Sequence, residues 1–440
     1  MRRILALLLA MLALCCAARA EEFYSEMPYD LRVTQRTLRE EPRKNVVTQR
    51  AYPRTNNASV DEEIRALVDA MYADAQDALP QNPSSTARLD VGAVISRTGT
   101  SWMSFLTLSE IAYKQELLSV DFDARVYDMQ TGERLALTDV FAPDSEAWEL
   151  LSLGVREQLL AAFPGEEADA EALDALCSVD SLKQAPFTLG GARLVLTFRA
   201  DAVYPGKNTL LHAVFYYPDI RALMTPRAFE QTDNSRFRMV ALTYDDGGAS
   251  GKTRQVLSTL REYGAQATFF IVGRTIRNSH DTLGRQQNAG YSIQSHSYTH
   301  RYAYEITADV IFEEKQQVAQ ELSAVTGLVP TLMRAPGGIE SIYVKNAYGY
   351  PLIHWSVASG DSGSNDAERV ANRVIRNVGD GDVVLMHDTN SLCAKYSKSI
   401  LEYLNKHGFL CVTVEELYAD AGVPLEANRI YFSSTDIRDE

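Results

Sequence analysis

The pattern of apolar and polar residues changes near residue 230, which divides the chain into two halves. Before it, the segments "VDEEIRALVDAMYADAQDAL" and "SEAWELLSLGVREQLLAAF" repeat apolar residues at helical spacing, whereas "SWMSFLTLSEIAY", "LLSVDFDARVYD" and "ARLVLTFRADAVY" alternate them as strands do. Residues 21–60 are mainly polar and charged. We therefore predict a polar lead-in or stalk over residues 21–60 and a smaller α+β domain over residues 61–228.

After a predicted linker over residues 229–236, short β-branched or aromatic runs alternate with helical segments. Examples of the runs are "MVALTY", "ATFFIV" and "DVVLMH", and examples of the helical segments are "KTRQVLSTLREYG" and "DVIFEEKQQVAQELSAVTG". This alternation predicts parallel strands joined by helices, in an open doubly wound sheet or in a barrel. We predict an α/β domain over residues 237–422 with its site at the carboxyl ends of the strands, and a C-terminal tail over residues 423–440.

The first twenty residues have the form of a signal peptide. Arg2 and Arg3 precede an apolar run that ends near residue 14, and the small-x-small sequence at residues 18–20 suits signal peptidase. We predict an exported protein, secreted or associated with the cell envelope. An uncleaved anchor and lipid attachment at Cys15 or Cys16 are the alternatives.

Charge and cysteine content narrow the class of partner. The net charge is −15, and since residues 1–20 hold three arginines and no acidic residue, cleavage would leave −18. Such an acidic chain is not expected to bind nucleic acid. After cleavage Cys177, Cys393 and Cys411 remain, too few for a disulfide scaffold, so we expect either buried thiols or one Cys393–Cys411 bridge.

Ionisable residues gather where the predicted strands of the second half end. In parallel α/β folds these strand ends meet at one edge, so their side chains are expected to converge. The segments are "TYDDG" with Asp245 and Asp246, "HSYTH" with His296 and His300, "RAPGG" with Arg334, and "LMHD" with His387 and Asp388.

Two histidines and one carboxylate suit a divalent metal ion. His296 and His300 are four residues apart, a spacing that fits one helix face or a turn around an ion. A carboxylate would complete a set of three ligands with open positions, for which Zn²⁺ is the first choice. Adjacent residues of an extended strand point to opposite sides, so one aspartate could bind metal while its neighbour stays free.

These segments, with "WSVASGDS" and in this order, resemble the motifs of the polysaccharide deacetylase family, also known as carbohydrate esterase family four. The resemblance covers about residues 237–420. It implies a distorted barrel of seven β/α units, one divalent ion (Zn²⁺, with Co²⁺ or Mn²⁺ as alternatives) and hydrolysis of an N-acetyl amide. The roles it implies are general base for Asp245, general acid for His387, support of the base for Arg334, metal ligands for Asp246, His296 and His300, and substrate contacts for Leu385, Gly337, Pro336, Trp355 and Asp361.

The chain departs from the family pattern in the third and fourth motifs. Gly337 stands where the family has tyrosine, so a backbone donor is kept and an aromatic ring is lost. Aligned on the tryptophan of "WSVASGDS", the first aspartate of the fourth motif becomes Ala358 and its tryptophan becomes Ser362. In the family that aspartate orients the general-acid histidine, so Asp361 or Asp388 would have to replace it.

The first half is similar to the extracytoplasmic domain of some peptidoglycan deacetylases and of lysozyme-sensing anti-sigma factors. The segments that carry this resemblance include "VDFDARVYDMQTGERLALTDVF", "FTLGGARLVLTF" and "VYPG". It implies a protein or glycan partner for this domain, with a folded spacer as the alternative.

These observations together predict an exported metal-dependent enzyme that removes N-acetyl groups from GlcNAc or MurNAc residues of a cell-wall polysaccharide. Peptidoglycan is the first choice of substrate, because of the resemblance of the first half. Deacetylation of chitooligosaccharide, another exopolysaccharide or xylan is the alternative within the same chemistry. A catalytically inactive wall-binding or lysozyme-sensing protein is the alternative from another class. The sequence makes no prediction of oligomeric state.

Overall fold

The computed structural model describes residues 33–247, 251–339 and 346–435. The predicted signal peptide lies outside the described residues. In the first half the strands are β1 Thr34–Arg43, β2 Val46–Arg54, β3 Ala87–Thr98, β4 Trp102–Tyr113, β5 Glu116–Asp128, β6 Glu133–Leu135, β7 Phe187–Leu189, β8 Arg193–Arg199 and β9 Leu210–Tyr216. Its helices are α1 Ala58–Ala75, α2 Leu137–Val140, α3 Ala147–Ala161, α4 Ala170–Cys177, α5 Val179–Leu182, α6 Tyr217–Ile220 and α7 Pro226–Gln231.

The first half is mostly sheet. Strands β1 to β6 lie in sequence order in one sheet, antiparallel except for the parallel pair β2 and β3, and β7 to β9 form a second antiparallel sheet. Helix α1 begins at Asn57, whose side chain accepts hydrogen bonds from the backbone N–H groups of Ser59 and Val60. Its apolar stripe (Val60, Ile64, Val68 and Met71) packs against the six-stranded sheet.

The predicted polar lead-in is wrong for residues 34–54, which form the first hairpin of this sheet. Strand β1 pairs with β2 from Thr34 opposite Arg54 onwards, and β2 pairs with β3. Nearly every side chain of β1 is exposed, so backbone hydrogen bonds rather than apolar burial hold it, and its sequence lacks the alternation that marks a half-buried strand. The predicted linker is also structured: α7 runs into it, and Asn234 within it is buried.

The second half is an α/β unit with parallel strands. Its strands are β10 Arg238–Asp245, β11 Thr268–Ile271, β12 Ser292–Ser295, β13 Leu352–Ile353, β14 Val357–Ala358, β15 Asp382–His387, β16 Phe409–Val412 and β17 Ile430–Tyr431. Its helices are α8 Gly251–Tyr263, α9 His280–Asn288, α10 Ala308–Thr326, α11 Ala367–Ile375, α12 Cys393–Lys406 and α13 Val414–Asp420. The predicted alternation of strands and helices is confirmed.

Strand β10 is the centre of this sheet. It pairs in parallel with β11 and β15, and its first half also pairs with β16, while β12 and β14 lie one strand further out. Isolated parallel bridges through Met333 continue the pairing from β12 towards β13. Closure of these strands into a seven-unit barrel stays a prediction. The predicted C-terminal tail is wrong in part, because β17 pairs with β13 and Tyr431 is buried.

A shared core joins the two halves. Leu106 and Leu108 of β4 belong to the same buried apolar cluster as Val240 and Leu242 of β10. At its edge the fully buried Glu110 of β4 accepts hydrogen bonds from residues of the second half: Asn288 at 3.0 Å, Arg285 at 3.1 Å and Arg261 at 3.3 Å. The first half is therefore packed onto α8 and α9.

Two further sequence predictions concern thiols and membranes. Cys177, Cys393 and Cys411 are all buried free thiols, so the bridge between the last two is not formed. Within the described ranges, no helix combines the length and apolar character needed to cross a bilayer.

Candidate active site

A cavity of about 480 Å³ opens at the carboxyl ends of the parallel strands. Its walls come from the ends of β10, β12 and β15, from the segment that leads to β13, and from the residues on either side of β14. The lining residues are Asp245, Asp246, His296, His300, Tyr302, Ala335, Gly337, Gly338, Trp355, Asp361, Ser362, Gly363, Leu385, His387, Thr389 and Asn390. Strand order thus brings the ionisable residues of four segments to one place.

The two adjacent aspartates are separated by a sharp turn rather than by the alternation of an extended strand. Asp245 is the last residue of β10 and is buried, whereas Asp246 has a φ of +76° and a partly exposed side chain. Both carboxylates face the same histidine: Nε2 of His296 lies 3.7 Å from Oδ2 of Asp245 and 3.6 Å from Oδ1 of Asp246. The expectation that they point to opposite sides is therefore wrong.

Asp246, His296 and His300 form a set that could hold a metal ion. One ligand atom from each lies within 4.8 Å of the others, and Nε2 of His300 is 3.3 Å from Oδ1 of Asp246. The histidine pair sits in a turn rather than on a helix: Ser297 and His300 both have φ near +61°, and the Ser297 hydroxyl accepts a hydrogen bond from the His300 N–H at 2.9 Å. Oδ1 of Asp246 is buried without a hydrogen-bond partner, a position that a bound cation would satisfy.

Neighbouring groups orient the ring of His296 and favour the charged form of Asp246, and both effects suit a cation. The ring Nδ1 of His296 donates to the carbonyl oxygen of Arg334 at 2.7 Å, which leaves the Nε2 lone pair facing the aspartates. Burial alone would raise the pKa of Asp246, but the close approach of the His300 ring and the charges of nearby histidines lower it overall. The residues therefore fit a divalent ion, with two neutral imidazole nitrogens and one carboxylate oxygen.

Arg334 fixes the buried carboxylate. Its Nη1 donates to Oδ1 of Asp245 at 2.8 Å and to the hydroxyl of Thr243 at 2.7 Å. Its Nε and Nη2 donate to the carbonyl oxygens of Ile353 and His354, both at 2.9 Å. The guanidinium is fully buried, so Asp245 is held through Oδ1 and keeps Oδ2 on the side of the metal ligands.

His387 is held by Asp361, one of the two aspartates that the sequence offered for this role, and Asp361 also lines the cavity. Asp361 is 1% exposed; its Oδ1 accepts from Nδ1 of His387 at 2.8 Å and its Oδ2 from the His387 backbone N–H at 2.8 Å. Tyr396 also donates to Oδ2. Burial lowers the pKa of His387, but the hydrogen bond and charge of Asp361, with the charges of Asp245 and Asp246, outweigh it and raise the pKa to about 9.

The register of two strands places base and acid candidates side by side. Asp245 of β10 is paired with His387 of β15 in the parallel ladder. Of the two aspartates that the sequence offered to hold His387, Asp361 makes the contact, whereas the buried Asp388 accepts from the hydroxyl of Thr253 at 2.7 Å.

Most, but not all, of the predicted substrate contacts line the cavity. Leu385, Gly337, Trp355 and Asp361 line the cavity, but Pro336 is buried and is not among the lining residues. Sequence reasoning missed Tyr302 and Asn390, both of which line the cavity. Tyr302 lies two residues after His300, and this closeness in the sequence is the one signal that could have pointed to it.

A cation site beside a held carboxylate and a charged histidine can support metal-assisted hydrolysis. Comparison with known proteins agrees with this class. Residues 232–351 match the family described as polysaccharide deacetylase. A peptidoglycan-N-acetylglucosamine deacetylase of Bacillus cereus is 32% identical over 188 residues, 41% of this chain and 88% of that protein.

Two other relatives extend the comparison. The peptidoglycan-N-acetylglucosamine deacetylase of Listeria monocytogenes is 27% identical over 316 residues, 71% of this chain and 67% of that protein. The peptidoglycan-N-acetylmuramic acid deacetylase of Bacillus subtilis is 27% identical over 188 residues, 43% of this chain and 40% of that protein. This chain belongs to the polysaccharide deacetylase family.

Proposed function

We propose that this protein is an exported, metal-dependent N-deacetylase of a cell-wall polysaccharide, with GlcNAc or MurNAc residues of peptidoglycan as its substrate. The observation that carries the proposal is the cavity that unites the metal-ligand set, the Arg334-bound Asp245 and the Asp361-bound His387. The names of the relatives from Listeria and both Bacillus species support peptidoglycan. Export rests on the signal-like residues 1–20.

Asp246, His296 and His300 would hold the ion, which we propose to be Zn²⁺, with Co²⁺ or Mn²⁺ as alternatives. When bound, a divalent ion would polarise a carbonyl oxygen and lower the pKa of its bound water towards neutral pH. The family membership and the orphaned Oδ1 of Asp246 support this assignment.

The protein's own groups divide the proton transfers. Oδ2 of Asp245 is free to take a proton from the attacking water, since Arg334 occupies Oδ1. His387 carries the second proton: Asp361 binds its Nδ1, which leaves Nε2–H to protonate the departing sugar amine. The water oxygen bonds to the acetyl carbon, the amide C–N bond breaks, and acetate and a free amine leave.

The test is acetate release from peptidoglycan and from chitooligosaccharides by the protein without residues 1–20. The protein is first freed of metal and then supplied with Zn²⁺, Co²⁺ or Mn²⁺. We expect acetate only when metal is restored, and more from peptidoglycan than from the other polymer. Acetate from peptidoglycan with all metal removed would refute the metal dependence.

Asp245→Asn separates catalysis from binding. The substitution keeps the size of the side chain but removes the carboxylate that accepts the proton, so acetate release should fall by about 10²-fold or more while the polymer still binds. A protein that binds peptidoglycan but releases no acetate with metal bound would be the inactive wall-binding protein instead.

A further inference from the structure

Tyr302 lines the cavity beside His300, and the ring of Tyr304 stacks on it from the outside. Tyr302 is 38% exposed and Tyr304 is 74% exposed. Their rings are stacked, with centroids 5.4 Å apart and planes inclined by 15°. Large aromatic side chains with this exposure beside a cavity mark a surface that contacts a ligand. We call these two side chains the tyrosine platform.

The loop beneath the platform is anchored, which holds the rings in place. Ala303 and Ile306 pack against the cluster that contains Met333 and Ala335, so apolar residues alternate inward with the two outward rings. The backbone N–H of Tyr302 donates to Oε2 of Glu305 at 3.0 Å, and the Glu305 N–H donates back to the Tyr302 carbonyl at 2.9 Å. The loop therefore loses little conformational freedom when a ligand binds to the rings.

The inner ring occupies space that a side chain at residue 337 would need. Gly337 has a φ of +71°, and a Cβ added there would lie 2.5 Å from Cε1 of Tyr302. Tyr302 lines the cavity, whereas Tyr304 is not among its lining residues and continues the aromatic surface outwards. The platform thus leads from the metal-ligand set towards solvent.

We propose that the tyrosine platform binds the sugar residue next to the one that is deacetylated, so that the enzyme selects sugar chains over single sugars. The inference rests on the proposed function, since it places the reacting sugar in the cavity. A pyranose ring presents a face of C–H groups that packs flat on an aromatic ring, and the phenol hydroxyl at the ring edge can meet sugar hydroxyls. The two stacked rings suit neighbouring parts of one chain.

The test compares kcat/KM for N-acetylglucosamine and its β-1,4-linked oligomers of two to five residues, with metal restored. For Tyr304→Ala we expect a loss of about tenfold on the tetramer and pentamer, chiefly in KM, and less than about twofold on the single sugar. Tyr304→Trp should keep the preference for longer chains. Phe229→Ala is the matched control, because Phe229 is an aromatic residue of α7 that is 47% exposed and does not line the cavity.

Calorimetric titration with the pentamer separates this inference from the proposed function. If the wild type releases no acetate but binds the pentamer, and Tyr304→Ala weakens that binding about tenfold, the deacetylase activity is refuted. Sugar binding by the tyrosine platform is supported in that case. Equal losses at every chain length, an unchanged variant, or no binding of the pentamer by the wild type would each overturn the platform.

Discussion

The contact between His387 and Asp361 predicts a large change in one pKa when the aspartate loses its charge. His387 has a pKa of about 9, against 6.5 for an ordinary histidine, and the difference corresponds to about 3 kcal/mol in favour of the imidazolium. In Asp361→Asn the counter-charge at 2.8 Å is removed while the burial remains. Since the charges of Asp245 and Asp246 remain, we expect the pKa of His387 to fall clearly below 9 towards the ordinary value.

The consequence for catalysis follows from the fraction of protonated His387. At pH 7 a pKa of about 9 leaves about 99% of the side chain charged, whereas a pKa of about 6.5 leaves about a quarter. The lost charge should lower acetate release at pH 7 by up to about fourfold, and the loss of ring orientation should lower it further. Because the folded-state pKa is above the unfolded value, the pair stabilises the fold fully below about pH 6.5, and this stabilisation is lost as the pH rises through about 9.

The assay is an NMR titration of the histidine ring protons in metal-free protein, with His387→Gln to assign the signal. Asp388→Asn is the matched control, because Asp388 is a second buried aspartate adjacent to His387 whose hydrogen bond goes to Thr253 instead. In that control the pKa should stay near 9. A His387 pKa that is unchanged in Asp361→Asn, or lowered equally by Asp388→Asn, would refute the reasoning.

Three further predictions concern stability and metal binding. Gly337→Ala should lower the free energy of unfolding by about 2–3 kcal/mol in urea, because a left-handed backbone and the Tyr302 ring both oppose a Cβ; Gly422→Ala, with a φ of +69° and open space around it, should cost only about 1 kcal/mol, and equal costs would contradict the contact. Glu110→Ala should cost about 3 kcal/mol in the same assay, since it removes a buried carboxylate from Arg285 and Arg261 and leaves Arg285 with Asp90 alone, and a cost below about 1 kcal/mol would contradict this. His296→Ala should weaken Zn²⁺ affinity by more than about 100-fold in a chelator competition titration, and unchanged affinity would exclude the ligand set.

The strand pattern placed the two histidines and the adjacent aspartates at one edge, and the family resemblance assigned the metal to Asp246. Asp246 and His296 come directly after β10 and β12, and parallel strands deliver their carboxyl ends to one edge. Local apolar runs were therefore enough to place these residues together. The sharp turn at Asp246 was not predictable in this way, since a non-glycine residue with positive φ depends on its tertiary surroundings.

The features that the sequence left open or missed depend on contacts between distant segments. It left open whether Asp361 or Asp388 holds His387, because that contact spans 26 residues, and it missed the ring of Tyr302, which lies against Gly337 from another loop. Neither contact is marked by a repeat of apolar and polar residues in the sequence. Strand β1 was missed for a related reason: its pairing with β2 satisfies backbone groups while its side chains remain polar and exposed.

The site treats its two proton-transfer groups in the same way. Asp245 and His387 each bind a buried partner of opposite charge through one atom, Arg334 at Oδ1 and Asp361 at Nδ1, and each keeps its second atom free. The partners are 0% and 1% exposed, so water does not compete for these contacts. Since the two groups face each other in the β10–β15 register, the strand pairing itself fixes the distance between proton acceptor and proton donor. This is why the fourth motif can lose its first aspartate without losing the arrangement: the requirement is a buried carboxylate at Nδ1 of His387, and Asp361 supplies it from three residues further along the chain.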